Sequence, residues 1–310
     1  MMILVRDLSR MQFINIGFKF SGQIGNFPTM KIKTGERDPL VSIVMPTYNR
    51  ADLLMKSIQS VLDQTFKEWE LIVVDDGSTD KTPEMMKELE DKDNRIKYHR
   101  IDRIKNKGIA AYLNVGIKES RGKYIARIDD DDRWCHKDKL QLQVNFLDNN
   151  PEYVLVGGGG ILVDEKGNQK FKYLKNENDD EIRNYALFSN PIAHTAIMFR
   201  KDVFDKIGGY SDIDHAEDMD LALRFGKAGK LYNMKEYFIE YLAIGQNKSF
   251  IQQRQNTKRV LEIIKRYKGD YPHFTKAYIL NLAQYAYSFL PGFLRKGLQP
   301  FMYYFKRNHF

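Results

Sequence analysis

The sequence predicts an α/β protein with a mostly parallel sheet flanked by helices. Continuous apolar runs such as LVSIVMP (40–46) and WELIVVD (69–75) are typical of strands buried on both faces. Between them, TYNRADLLMKSIQSVLDQ (47–64) carries apolar residues at helical spacing. Strands that alternate with helices in this way form βαβ units, in which neighbouring strands run parallel.

The remaining elements follow the same reasoning. In the first half of the chain we expect a helix over 81–92, a strand over 96–101, a helix over 106–120 and a strand over 122–128. The second half is less regular. It predicts a helix over 138–151, a strand with a Gly-rich bend and a hairpin over 153–168, a strand and short helix over 194–210, and a helix over 216–229. A basic helix over 252–267 is expected in the tail.

Composition bounds the class of protein. Of 310 residues, 43% are apolar and 29% charged, which is ordinary for a globular chain and unlike a disordered one. The single cysteine, Cys135, excludes an internal disulfide framework and suits a reducing compartment. The N-terminus lacks the apolar core of a signal peptide, and no apolar run reaches the roughly 18–20 residues of a membrane span. We therefore expect a cytoplasmic protein.

The basic excess lies in the tail. Residues 246–310 hold 12 of the 49 Lys and Arg but only 2 of the 41 Asp and Glu. Such a tail suits an anionic membrane surface or nucleic acid, although for charge runs in general a solvated helical face is the better explanation. Basic residues beside aromatic ones favour binding to an anionic membrane. Packing of the tail on the rest of the protein is an equally strong alternative. No sequence motif supports a nucleic-acid partner.

Four consecutive aspartates, Asp129–Asp132, end the strand over 122–128. Two other strands end in polar sequence, PTYN (46–49) and DDGSTD (75–80). In parallel sheets ligands bind beyond the carboxyl ends of the strands, so these segments should converge. Mg²⁺ and Mn²⁺ prefer carboxylate oxygens together with phosphates, whereas EF-hand spacing and a Cys/His zinc set are both missing. The cluster therefore predicts a metal–phosphate site.

Four segments in order carry a family resemblance: LVSIVMPTYNR (40–50), VVDDGSTD (73–80), NKGIAAYLNVGIKESRGKYIARIDDDDRW (106–134) and AEDMDLALRF (216–225). Together they resemble the inverting glycosyltransferases of family 2 over residues 40–245. The resemblance implies a GT-A fold, a nucleotide-diphospho-sugar donor that is expected to be a UDP-sugar, and a divalent cation, Mn²⁺ or Mg²⁺. The processive Q-x-x-R-W motif is missing from FIQQRQN (250–256), which favours a non-processive enzyme.

The resemblance also implies roles on the donor side. Asp131 would bind the metal, and Asp129 and Asp130 would contact the ribose or the diphosphate. The second register of D-x-D, Asp130 with Asp132, stays open. The nucleotide pocket would be lined by Pro46, Tyr48, Asn49, Asp76, Asn106 and Gly108.

On the acceptor side, the resemblance implies that Asp218 is the general base, with Glu217 and His194 nearby. Acids in the first turn of a helix are also favourable against its dipole, and such a histidine is more often a core residue. A catalytically silent nucleotide-binding module and a polyprenyl-phosphate sugar transferase are the alternative functions.

The resemblance divides the chain into four regions. We expect an N-terminal extension (1–38), a nucleotide-sugar half (39–133), an acceptor and catalytic half (134–245) and a basic helical tail (246–310). The expected acceptor is a glycan or a lipid-linked glycan in surface polysaccharide assembly. The tail would then hold the protein peripherally at the inner face of the cell membrane.

Overall fold

The structure is a computed structural model that describes residues 38–101, 108–242 and 253–290. Asn106, named above as a pocket residue, lies outside them. The strands are β1 Val41–Thr47, β2 Trp69–Asp75, β3 Ile96–Arg100, β4 Tyr124–Arg127, β5 Arg133–Trp134, β6 Tyr153–Val163, β7 Gln169–Tyr173, β8 Met198–Arg200 and β9 Lys230–Leu242. The α-helices are α1 Ala51–Leu62, α2 Thr82–Lys92, α3 Ile109–Glu119, α4 Lys139–Asn149, α5 Asp179–Tyr185, α6 Lys201–Lys206, α7 Glu217–Ala228, α8 Gln253–Arg266 and α9 Phe274–Tyr287. A 3₁₀ turn, His194–Ala196, precedes β8.

One sheet runs through the described residues in the order β3-β2-β1-β4-β8-β6-β9-β5, with β7 paired to β6. The first four strands are parallel, because β1 pairs with β2 and β4 and β2 pairs with β3 in parallel register. The expected parallel arrangement is confirmed there. Beyond β4 the sheet is mixed, since β8 runs antiparallel to both β4 and β6 while β9 is parallel to β6.

Helices cover both faces of the sheet closely enough to bury whole strands. Every residue of β1 and β2 is buried, as continuous apolar runs predict. The α1 helix turns Leu54, Ile58 and Val61 toward the sheet, one turn apart. Gly116 of α3 packs so tightly that a Cβ there would stand 2.5 Å from Val44 Cγ1.

The four glycines 157–160 do not bend the chain as expected. They lie inside the single strand β6, whose register against β9 shifts between Gly157 and Gly159 and again between Gly159 and Gly160. A Cβ on Gly158 would meet the Phe238 ring at 2.4 Å. These glycines therefore mark a bulge and a close backbone approach, and the expected bend is wrong. Residues 230–242, for which no element was expected, form β9.

The described part of the tail packs on the rest of the protein. Leu261, Ile264 and Tyr267 of α8 and the loop after it join a buried cluster with Met219 and Leu223 of α7. Within the described ranges, no helix is long and apolar enough to cross a membrane. Packing, one of the two alternatives for the tail, thus holds for residues 253–290.

Candidate active site

The polar ends of β1, β2 and β4 meet at one edge of the sheet, as expected. Thr47 Oγ1, at the end of β1, donates a 2.8 Å hydrogen bond to Asp130 Oδ2 after β4. Asn49 Oδ1 accepts from the backbone N–H of Thr79 at 2.7 Å, and Asn49 N–H donates to Ser78 Oγ at 2.8 Å. Asn49 therefore ties the loop after β1 to the loop after β2.

The two acids of VVDDGS have different surroundings. Asp75 is fully buried and accepts from Ser78 N–H, Ser78 Oγ and Tyr98 OH. Asp76 is only half-buried and accepts a hydrogen bond from Tyr112 OH of α3. Asp75 therefore serves to hold the loop after β2, whereas the Asp76 side chain is partly accessible to solvent.

The other expected pocket residues differ in accessibility. Tyr48 is 39% exposed, whereas Pro46 is buried within β1 opposite Val74. Gly108 stands directly before α3, and a Cβ there would lie 3.0 Å from Asp214 Oδ1. That distance is tighter than ordinary van der Waals contact, so a side chain at position 108 would displace Asp214.

The four aspartates alternate in accessibility. The exposed fraction of the side chain is 26% for Asp129 and 19% for Asp131, against 8% for Asp130, and Asp132 is 1% exposed. Neither carboxylate oxygen of Asp132 accepts a hydrogen bond of ordinary geometry from the described residues. The first D-x-D register is therefore the more open one.

Two arginines offset the charge of this cluster. Buried Arg127 holds Asp129 through two hydrogen bonds, at 2.9 and 2.6 Å. Arg50 Nη1, at the start of α1, contacts Asp130 Oδ1 at 3.1 Å and Asp131 Oδ2 at 2.5 Å. Like-charged carboxylates this close destabilise one another, so these guanidinium groups stabilise the arrangement.

Burial raises the pKa of Asp130, Asp131 and Asp132. It raises the pKa of Asp130 to about 6, against the lowering effect of Arg50 and of the Thr47 hydroxyl. It raises the pKa of Asp131 as well, helped by the neighbouring Asp129. Burial lifts the pKa of Asp132 furthest, with Asp129 and Asp131 adding to it and the nearby Thr195 opposing it. Added positive charge would bring these pKa values down.

The aspartates fit a cation that shares its ligands with a substrate. No group of three or more Asp, Glu, His or Cys in the described residues is placed to enclose a metal on its own. Mg²⁺ and Mn²⁺ are commonly held by one or two carboxylates together with substrate phosphates and water. The partly open carboxylates of Asp129 and Asp131 suit that chemistry.

Glu217 and Asp218 lie in the first turn of α7. Asp218 Oδ2 accepts from Asn190 Nδ2 at 2.5 Å, and its Oδ1 accepts from the Met219 N–H at 2.8 Å. Burial raises the pKa of Asp218, although that N–H and Arg127 oppose the shift. Burial, followed by the Asp218 charge, raises the pKa of Glu217 to about 7. A carboxylate with a raised pKa is a stronger base.

His194 is connected to the same region through Tyr210. Its Nε2 lies 2.6 Å from Tyr210 OH. Burial, followed by the Arg127 charge, holds the pKa of His194 well below its usual range, so the ring is neutral at physiological pH. Arg127 also acts on Asp129, Glu217 and Asp218. One buried guanidinium is therefore within electrostatic range of both the acidic cluster and the α7 acids.

Several residues of the site were not predicted from the sequence. Arg50 directly follows PTYN and Arg127 stands two residues before the first aspartate, so their positions were a usable signal. Tyr112, Asn190 and Tyr210 gave no local signal, because their partners lie 16 to 36 residues away along the chain.

Sequence comparison identifies a family model and relatives that match this chain. The family model described as "Glycosyl transferase family 2" matches residues 42–208. A protein of Bacillus subtilis (strain 168), provisionally named glycosyltransferase EpsE, is 33% identical over 257 residues, covering 78% of this chain and 88% of that one. Another from that organism, provisionally named teichuronic acid biosynthesis glycosyltransferase TuaG, is 41% identical over 109 residues, covering 35% and 42%.

Solved structures share the fold at lower identity. S. aureus TarS 1–349 in complex with UDP-GlcNAc superposes with a TM-score of 0.59 at 18% identity, covering 80% of this chain and 73% of that one. The mannosyltransferase PcManGT from Pyrobaculum calidifontis, in complex with GDP-Man and Mn²⁺, superposes with a TM-score of 0.57 at 16% identity, covering 86% and 79%. The expected GT-A architecture is thereby confirmed. With a family model matching more than half of its length, this chain belongs to glycosyltransferase family 2.

Proposed function

We propose that the protein transfers a sugar from a nucleotide-diphospho-sugar, with UDP the expected nucleotide, to an acceptor hydroxyl with inversion at the anomeric carbon. The supporting observation is the position of Arg127. It binds Asp129 of the acidic cluster directly, and its charge partly opposes the rise in the pKa of Asp218 that burial causes. Donor-binding groups and a candidate base thus belong to one site.

On the donor side, Asp76 accepts a hydrogen bond from the nucleotide base, and Tyr48, Asn49 and Gly108 shape the pocket. Three features support this assignment: Asp76 is half-buried, Tyr48 is exposed, and a Cβ at Gly108 would crowd Asp214. Asp75 takes no part, because its carboxylate is already satisfied by three donors.

Asp131 would hold the divalent cation, with Asp129 and Asp130 directed to the ribose or the diphosphate. The greater exposure of Asp129 and Asp131 supports this register over Asp130 with Asp132. When bound, the cation offsets negative charge on the departing diphosphate. The donors in PcManGT and TarS, GDP-Man and UDP-GlcNAc, are of this chemical class.

On the acceptor side, Asp218 removes the proton from the attacking hydroxyl. The new bond forms between the acceptor oxygen and the anomeric carbon while the bond from that carbon to the diphosphate breaks, and the proton passes to a carboxylate oxygen of Asp218. Asn190 and the Met219 N–H fix the direction of the carboxylate. Burial keeps its pKa raised, which favours proton transfer.

The proposed setting is the assembly of a surface polysaccharide or a lipid-linked glycan. The name of TuaG, which refers to teichuronic acid biosynthesis, supports this class of product. A lipid-linked acceptor would be presented at the membrane, where the basic tail suits an anionic surface. We therefore place the protein peripherally at the inner face of the cell membrane.

The test is a binding panel followed by an activity assay. Thermal shift and calorimetry with UDP-, GDP- and dTDP-sugars, each with and without Mn²⁺, should give cation-dependent stabilisation by one nucleotide class. If no nucleoside diphosphate binds, the proposal is wrong.

The role of Asp218 is tested on the donor that binds. Asp218→Asn should lower the rate of nucleoside diphosphate release in the presence of an acceptor by about 10²- to 10⁴-fold while leaving donor affinity unchanged. Asp180→Asn is the matched control, because Asp180 also lies in the first turn of a helix but is exposed. Equal activity of both variants would remove Asp218 from the mechanism.

A further inference from the structure

The α9 helix has two apolar faces, and the described part of the chain covers only one of them. On the inner face Ala277 and Asn281 are buried, and Asn281 Nδ2 donates to Leu187 O at 3.2 Å. On the outer face the exposed fraction is 62% for Ile279, 44% for Leu282 and 51% for Phe289. The exposed Ala283 and Ala286 lie between them. We call these five outer residues the α9 stripe.

The spacing makes the stripe one continuous surface. Residues three and four apart share a helix face, and 279, 282, 283, 286 and 289 follow that spacing. The turn after α9 continues it, because Phe289 N–H donates to Ala286 O at 3.1 Å. Single exposed apolar side chains are ordinary, whereas a run of them on one face indicates a contact with something else.

Basic side chains border the stripe. The Arg254 guanidinium lies 4.1 Å from the centre of the Phe289 ring. The Lys265 ammonium lies 5.1 Å from the ring of Tyr278, next to Ile279. Lys276 is exposed, one helical turn before Ile279. Residues 253–290 contain seven Lys and Arg against two acids, Glu262 and Asp270.

The combination of an apolar stripe and a basic border indicates what kind of partner binds here. A second apolar protein surface would explain the stripe but not the basic border, and a purely anionic partner would explain the border but not the stripe. An apolar face flanked by Lys and Arg is the pattern of a helix lying in the plane of an anionic lipid surface. The chain also continues from the end of the stripe into 291–310, whose sequence has Arg295, Lys296, Lys306 and Arg307 among aromatic residues.

We propose that the α9 stripe is the membrane-docking surface of this protein. Ile279, Leu282 and Phe289 enter the boundary between head groups and acyl chains, and the bordering basic side chains contact lipid phosphates. The proposal rests on the peripheral location given under the proposed function and adds the surface that produces it. It is independent of the donor, the cation and Asp218.

The test uses the full chain in vesicle flotation. Vesicles of phosphatidylcholine with phosphatidylglycerol should carry the protein upward, vesicles of phosphatidylcholine alone should carry much less, and added salt should reduce binding. The double variant Ile279→Glu/Leu282→Glu should lower the bound fraction by at least about tenfold.

The matched control is Phe171→Glu/Leu174→Glu. These two side chains are 41% and 43% exposed, lie at and just after β7, and receive the same change in charge. The control should float like the unmodified protein. Both variants should keep its melting temperature and nucleotide binding, so a failure of lipid binding is distinguishable from a failure of the donor site.

Three results would overturn the proposal. The first is flotation of the α9 double variant at the level of the unmodified chain. The second is a loss of flotation when 291–310 is deleted but not in the α9 double variant, which would assign the lipid contact to that segment. The third is a concentration-dependent dimer that the α9 double variant abolishes in the absence of any vesicle binding, which would assign the stripe to a second copy of the chain.

Discussion

Arg50 Nη1 lies 2.5 Å from Asp131 Oδ2 and also contacts Asp130. The Arg50 guanidinium therefore supplies positive charge next to Asp131, the carboxylate that we propose as the cation ligand. A cation that binds Asp131 has to compete with this ion pair. Once displaced, Arg50 becomes available to the negative diphosphate of the donor, for which a guanidinium is well suited.

Replacing Arg50 should change cation and nucleotide binding in opposite directions. Arg50→Ala should tighten Mn²⁺ binding in the absence of nucleotide by about three- to tenfold, because Asp131 loses its competing partner. It should weaken the binding of UDP with Mn²⁺ by a similar factor, because a phosphate partner is lost. Mn²⁺ titration followed by electron paramagnetic resonance and calorimetry with UDP measure the two effects.

The control for Arg50 is Arg133→Ala. Arg133 directly follows the four aspartates, carries the same charge, is 55% exposed and pairs with Glu240. It should alter Mn²⁺ binding much less than Arg50→Ala does. Equal effects of the two variants would mean that net charge alone, and not the ion pair with Asp131, sets cation affinity.

Asn190 should set the pH dependence of transfer through Asp218. Its Nδ2 donates to the Asp218 carboxylate, and such a bond favours the ionised form. Without it, as in Asn190→Leu, the raised pKa of Asp218 rises further, and the base is ionised only at higher pH. The acidic limb of the pH–rate profile should therefore move upward by about half a unit to one unit, with the alkaline rate less affected.

Exposed Asn145 on α4 provides the control for Asn190. Asn145→Leu should leave the pH–rate profile in place, since its side chain contacts Gln141 and not the site. An acidic limb of Asn190→Leu that coincides with that of the unmodified enzyme would show that this hydrogen bond does not tune the base.

Local sequence was enough to predict the donor edge of the sheet. The strands over 41–47, 69–75 and 124–127 are each continuous apolar runs that end in polar residues. The rule for parallel strands then brings those ends together, and the contact between Thr47 and Asp130 confirms it. The first half of the chain was therefore enough to predict the donor edge.

The acceptor edge could not be derived in this way. Asn190 and Tyr210 lie in irregular segments, and only the folded chain brings them to Asp218 and His194. The β9 strand, 230–242, mixes charged, polar and aromatic residues without clean alternation, because it is buried unevenly along its length. The packing of the tail depends on which face of α8 contacts α7, and that face cannot be identified from a single sequence.

Asp220 should contribute more to the stability of the tail than any exposed ion pair. It is fully buried and accepts from Ser211 Oγ, Arg224 Nε, Arg266 Nη1 and Tyr267 OH. Asp220→Ala leaves these donors without a carboxylate and should lower the free energy of unfolding by about 3–5 kcal/mol. Urea unfolding measures the loss, and limited proteolysis should show earlier cleavage after α7.

The control for Asp220 is Glu262→Ala. Glu262 pairs with Arg259 on the exposed side of α8 at 2.5 Å, and an exposed pair contributes about 0–1 kcal/mol. A loss of similar size in the two variants would show that the four-donor cluster does not anchor the tail.

Lys139 should make stability depend on pH. Its side chain is fully buried, donates to Gln143 Oε1 at 2.8 Å and lies 4.1 Å from the Trp134 ring. The ring favours the charged form, but burial outweighs it and lowers the pKa well below the usual value. Between the lowered pKa of the folded state and the usual pKa of the unfolded state, the unfolded chain therefore binds more of this proton than the folded chain does. The free energy of unfolding therefore falls as pH decreases from the unfolded pKa toward the folded one.

Lys139→Met removes this proton linkage. At neutral pH it should raise the free energy of unfolding by about 1 kcal/mol or more, after about 1 kcal/mol is lost at the unpaired Gln143 oxygen. The advantage over the unmodified protein should shrink as the pH rises from neutral toward about pH 10, the region of the unfolded lysine pKa. Urea unfolding at several pH values measures the difference, and Lys137→Met, at an exposed neighbour, should show no such trend. A difference that stays constant over this range would mean that Lys139 is charged in the folded protein.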